Sequence, residues 1–102
     1  MSDENVVERM CDQDGKLSMV YQFFCPGCGY GHSFDTSPGR WTFVNNDYVK
    51  PTFTPSLRVL GRPGKKETLC HLFVTGGKII YCSDSPHELA GKTVQMTLIK
   101  DW

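Results

Sequence analysis

The chain has 102 residues, 11 Lys and Arg against 11 Asp and Glu, and 39% hydrophobic residues. That length points to one domain with a modest core, and the hydrophobic content is too high for a disordered chain. The zero formal net charge excludes the signature of a general nucleic-acid binder, which needs unbalanced Lys and Arg to displace counterions.

Residues 1–16 are polar and acidic, with Asp12-Gln-Asp-Gly15 as a breaker. They are expected to be a polar lead-in to a single domain over residues 17–102, with Cys11 a free exposed thiol. Residues 17–24 are rich in Val, Tyr and Phe and predict a strand that runs into Cys25-Pro-Gly-Cys28-Gly29. Residues 41–44 predict a short strand, and Asn45-Asn-Asp47 a turn. Residues 53–60 predict a further strand, whose first half Pro51 and Pro55 confine to an edge or a bulge. Residues 61–67 read as a loop.

The clearest element is a hairpin of residues 68–75 and 78–83 around Gly76-Gly77. A two-residue turn there pairs Thr75 with Lys78, Phe73 with Ile80 and His71 with Cys82. Ser85-Pro-His-Glu88 has the form of a capping box with proline at the first helical position, and Gly91 suits a stop. One short helical turn is expected there. Residues 93–99 alternate and close as a strand. The fold class is therefore mainly β: a small antiparallel domain with one zinc knuckle and one short helical turn.

No apolar run approaches the roughly 18 residues of a membrane span. The start lacks the basic and apolar regions of a secretory signal, so a cytoplasmic location is expected. In a reducing compartment the five cysteines point to metal ligands and spare thiols rather than disulfides.

Cys25 and Cys28 at i and i+3 around a tight Pro-Gly turn can reach one tetrahedral Zn2+. Candidates for the other half-site are Cys70, His71, Cys82 and His87, with His32 as an outsider. Residues directly opposite in a hairpin share a face, so His71 and Cys82 project together and Cys70 projects to the other face, toward His87. Two ligand sets follow: Cys25, Cys28, Cys70 and His87, or Cys25, Cys28, His71 and Cys82. Spacing does not choose between them.

The stretches Phe24-Cys-Pro-Gly-Cys-Gly-Tyr-Gly-His32, Trp41-Thr-Phe43, Lys50-Pro-Thr-Phe-Thr-Pro-Ser-Leu57, Cys70-His-Leu-Phe-Val74 and Ser83-Asp-Ser-Pro-His-Glu-Leu-Ala-Gly-Lys-Thr-Val94 resemble a family of small uncharacterised phage and prophage proteins. The resemblance covers most of residues 21–98. It includes Cys25, Cys28, Cys70, His71 and His87 but not Cys82, and so it implies the Cys70/His87 set, with His71 still open as an alternate ligand. Many relatives carry Cys where this chain has Ser85, which rules that position out as a required ligand here. Some relatives are labelled "ammonia monooxygenase", an activity of membrane copper proteins that this sequence does not fit.

The function expected is that of a phage- or prophage-derived protein whose zinc is mainly structural and which binds a protein partner from host or phage. A small zinc-dependent hydrolase with an open coordination position is the alternative, with His32, Asp84 or Glu88 as base. A nucleic-acid-binding zinc protein is the third reading, resting on Arg58, Arg62, Lys65 and Lys66 around one loop. No zinc-deaminase motif, metalloprotease helix, phosphate loop or nucleophile elbow is present, and no catalytic residue is assigned.

Overall fold

A computed structural model describes residues 4–60 and 68–102. The strands are β1 (Glu8–Cys11), β2 (Leu17–Cys25), β3 (Tyr30–Asp35), β4 (Thr42–Phe43), β5 (Phe53–Leu60), β6 (Thr68–Thr75), β7 (Lys78–Tyr81) and β8 (Thr93–Gln95). They form two antiparallel sheets, one ordered β1-β2-β3 and the other β4-β5-β6-β7-β8. Among the described residues, no helix is long and apolar enough to cross a membrane. The expected loop over residues 61–67, with Arg62, Lys65 and Lys66, lies outside the described residues.

The two sheets meet over an aromatic core. Phe34 of β3 stacks on Phe53 of β5 with ring centroids 4.4 Å apart, and Phe53 stacks on Phe43 of β4 at 4.4 Å. Phe23, Leu72, Val74, Ile79 and Tyr81 fill the space around them and are buried. Alternation explains the inward set. Leu72 and Val74 of β6 face the core, while Phe73 between them is exposed.

The hairpin register is the expected one. Thr75 pairs with Lys78 and Phe73 with Ile80, and the His71 carbonyl accepts the Cys82 N–H at 2.9 Å. Cys70 therefore points into the core and His71 to the opposite face. β5 carries the expected irregularity. Phe53 pairs with Val74 and Leu57 with Leu72, so four steps along β5 match two along β6. Pro55 has no N–H to give to the ladder. The chain bulges over residues 54–56, and Ser56 lies in that bulge.

Three stretches differ from expectation. Val6 and Val7 of the expected lead-in are buried, and Glu8–Cys11 pair with β2. Two adjacent valines supply the anchorage that the polar composition hides. Residues 30–35 form β3, although Gly31 and Ser33 weaken its pattern, because His32 and Phe34 both face inward. Residues 85–91 form turns rather than the expected helical turn. The Ser85 hydroxyl bonds His71 instead of capping, and the bonds Ala90 N–H to His87 O and Lys92 N–H to Leu89 O are isolated turn closures. The short 3-10 turn that does form is Ile99–Asp101.

Candidate functional site

The knuckle closes as its composition requires. The Cys28 and Gly29 N–H groups both donate to the Cys25 carbonyl, at 3.2 and 2.8 Å. The turn lifts Cys28 beside Cys25 at the end of β2. Cys70 comes from β6 of the other sheet, with its Sγ 3.8 Å from the Cys25 Sγ. His32 comes from β3, where its backbone partner is Phe23. The ligand atoms of Cys25, Cys28, His32 and Cys70 all lie within 4.8 Å of one another.

Three soft sulfurs and one imidazole are a donor set suited to a metal ion such as Zn2+. His32 adds a specific observation. Its Nε2 is buried and has no hydrogen-bond partner among the described residues, an arrangement that costs free energy unless something satisfies the atom. These four residues could hold a metal ion.

His87, expected to complete the set, lies against Cys70, with its Nε2 3.3 Å from the Cys70 Sγ. Its Nδ1 accepts the Leu89 N–H at 3.2 Å. A neutral ring that accepts at Nδ1 carries its proton on Nε2, so this tautomer points an N–H at the sulfur. Gly27 makes room for the ring: a Cβ at that position would fall 2.3 Å from the His87 Cε1.

The surroundings favour negative charge on the Cys25 sulfur alone: burial, and then the charge on Cys25, push the Cys28 thiol up. The Cys25 thiol is lowered to about 3, first by the hydrogen bond from Cys70 against the opposing effect of burial, then by His32 and Tyr81. Cys70 is pushed up by that same hydrogen bond and by burial. The Tyr81 hydroxyl lies 3.1 Å from the Cys25 Sγ and accepts the Gly27 N–H at 3.2 Å.

His71, Cys82 and Asp84 form a second group on the other face. The alternative ligand set, Cys25, Cys28, His71 and Cys82, is thus divided between the two groups. His71 and Cys82 share a face as expected, and His71 has two further partners there. Its Nδ1 lies 3.1 and 3.2 Å from the two Asp84 carboxylate oxygens, and its Nε2 lies 3.2 Å from the Ser56 Oγ. A hydroxyl, an imidazole and a carboxylate in that order are the parts of an activated serine nucleophile.

The elements explain the meeting. The β5 bulge puts Ser56 beside β6, and the turn after β7 returns Asp84 to the same face. Ser56 is held from behind, since its carbonyl accepts the Trp41 indole N–H at 3.1 Å. Trp41 and Pro55 also line an open cleft of about 450 Å³ with Pro38, Gly39 and Arg40. Sequence reading missed Ser56 altogether and gave Asp84 only a metal-linked role. The three residues stand 15 and 13 positions apart and share no local motif. The available signal was that each lies in a separate stretch carrying the family resemblance.

A family model described as "Bacterial ubiquitination-like system serine protease (BubE)" matches residues 2–82. The chain belongs to the BubE family. No curated protein and no solved structure matches it. The BubE description names a bacterial system, where the resemblance implied a phage or prophage one. All of the knuckle, Ser56 and His71 fall inside the matched span, and Asp84 stands two residues beyond it.

Proposed function

We propose that this BubE-family chain is a serine hydrolase that cleaves an acyl bond in a protein of a bacterial ubiquitination-like system, with Ser56 as nucleophile, His71 as general base and Asp84 as its orienting carboxylate. One observation carries the reading: the two nitrogens of a single imidazole reach the Ser56 hydroxyl and the Asp84 carboxylate at 3.2 and 3.1 Å. The family description, which names a serine protease, supports it independently.

The chemistry follows from the geometry. Asp84 accepts the His71 Nδ1–H, which leaves Nε2 as a lone pair facing Ser56. The Ser56 Oγ bonds to the substrate carbonyl carbon while its proton passes to Nε2. His71 returns that proton to the leaving amine as the C–N bond breaks, leaving an acyl ester on Ser56. Water then attacks the ester, with His71 again taking and returning the proton.

The metal belongs to the scaffold in this reading. Cys25, Cys28, His32 and Cys70 would hold a Zn2+, which would tie the two sheets together and touch no reacting atom. His87 would donate its Nε2–H to the Cys70 sulfur and so shape the site from outside the coordination sphere. The partner is the protein substrate. A cluster of free thiols suits a reducing compartment such as the cytoplasm.

The test is active-site labelling. Wild-type protein purified without chelator should take up one fluorophosphonate on Ser56, read by peptide mass. Ser56→Ala and His71→Ala should take up none there. Equal labelling of Ser56→Ala, or none of a folded wild type, would sink the proposal. For the metal, elemental analysis should find one zinc per chain, lost in His32→Ala and kept in His87→Ala. The opposite pattern would restore His87 as the ligand.

A further inference from the structure

Ser85 is only 5% exposed, although it stands next to the open Asp84. Its hydroxyl accepts the His71 N–H at 3.0 Å and donates to the His71 carbonyl at 2.8 Å. One side chain therefore holds both backbone groups of the proposed base. The surrounding bonds show why it is needed. In a continuing ladder, Cys82 would exchange two bonds with His71. The Cys82 N–H does donate to His71 O at 2.9 Å, but the Cys82 carbonyl is taken by the Ser85 N–H at 3.1 Å. β7 ends at Tyr81, and the turn that carries Asp84 begins there. Ser85 Oγ supplies the acceptor that the lost rung would have given.

The carboxylate of Asp84 has no comparable burial, with its side chain 59% exposed. Its position relative to the imidazole must come from the backbone that carries it. Ser85 ties that backbone directly to His71. We propose that Ser85 is a positioning residue that fixes the Asp84 carboxylate on the His71 Nδ1, and thereby aims Nε2 at Ser56. The inference rests on the Ser56–His71–Asp84 reading above. Its action is indirect: Ser85 touches neither substrate nor Ser56, and a small misplacement of a catalytic pair can cost about 10²-fold in rate.

The experiment measures the rate of fluorophosphonate labelling of Ser56 in the full chain with its metal bound. The variants are Ser85→Ala, Ser85→Thr, Asp84→Asn and the double variant Asp84→Asn/Ser85→Ala, each well below its melting temperature. Ser85→Ala should label at least about tenfold more slowly with unchanged metal content. Ser85→Thr, which keeps the hydroxyl, should recover most of that rate. In the Asp84→Asn background, Ser85→Ala should add little, because the pair through which it acts is already broken. Should Ser85→Ala fail to fold, Ser85→Cys, nearly isosteric with a weaker hydrogen-bonding group, serves for the same comparison.

Labelling of Ser85→Ala within about twofold of wild type would overturn the proposal. An equal slowing by Ser85→Ala in both backgrounds would do so too, since that marks general loosening. If Asp84→Asn slows labelling while Ser85→Ala does not, positioning fails and the triad stands. If Ser56 is never labelled, the triad fails and this inference falls with it.

Discussion

His71 holds two different bonds on one ring, and each nitrogen has a set task. In the proposed triad Asp84 keeps the proton on Nδ1, so that Nε2 can receive the one from Ser56. Asp84→Asn replaces that acceptor with an amide that can present its NH2 and favour the other tautomer. A buried aspartate in this role is worth about 10⁴ in kcat. Here the carboxylate is largely exposed and water can stand in for part of its effect. The expected loss is therefore smaller, about 10²–10³ in kcat with little change in KM, measured by steady-state kinetics on an ester substrate. Gly27 is a second residue with a narrow task. A methyl group there would overlap the His87 ring at 2.3 Å, and the ring must then leave Cys70. Gly27→Ala should lower the melting temperature and speed zinc loss to a chelator, whereas His87→Ala should relieve the clash. A Gly27→Ala/His87→Ala protein less stable than Gly27→Ala alone would contradict this account.

Among the elements, the β6–β7 hairpin was legible because its turn sets the register. Gly76 and Gly77 adopt φ of +57° and +81°, as a two-residue turn of that type needs. The pair is not equivalent. A Cβ at Gly76 would meet nothing within 4 Å, while one at Gly77 would lie 3.0 Å from the Lys50 Cα and 3.1 Å from the Val49 carbonyl oxygen. Gly76→Ala should cost about 1 kcal/mol of backbone strain. Gly77→Ala should cost roughly 1 kcal/mol or more beyond that, because rigid backbone blocks it, and urea denaturation would rank the two. The β5 bulge was legible from its prolines. The sheet positions of Val6 and Val7 were not, since two apolar residues in an acidic stretch form no period. Nor was the fate of Ser85, whose capping pattern is local while its actual partner lies 14 residues back. The candidate site divided in the same way. Cys25, Cys28 and Cys70 announce metal chemistry by residue type. A serine in a bulge and an aspartate in a turn look ordinary until the fold brings them to one imidazole.

At the scale of the molecule, the cysteine cluster is a seam between the sheets. Cys25, Cys28 and His32 belong to the first sheet and its turn, and Cys70 to the second. The aromatic stack of Phe34 on Phe53 is the other seam. A chain of this length has a limited core, so a shared ion at the cysteine seam should contribute much of the stability. Cys70 is also the residue before His71 in β6, and its opposite-facing neighbour carries the proposed chemistry. Chelation should therefore lower the melting temperature and abolish Ser56 labelling together, and added Zn2+ should restore both. This alone would not separate a structural ion from a reacting one. Replacing Zn2+ with Cd2+ would, because thiolate-rich sites accept both ions while an ion that activates water is sensitive to the exchange. If the ion only holds the sheets, the Cd2+ protein should keep kcat within about threefold of the Zn2+ protein, as expected of a closed site whose ligands are all supplied by the chain. A collapse of kcat in a Cd2+ protein that melts like the Zn2+ form would move the metal from scaffold to reaction centre and leave the Ser56–His71 pair without its assigned work.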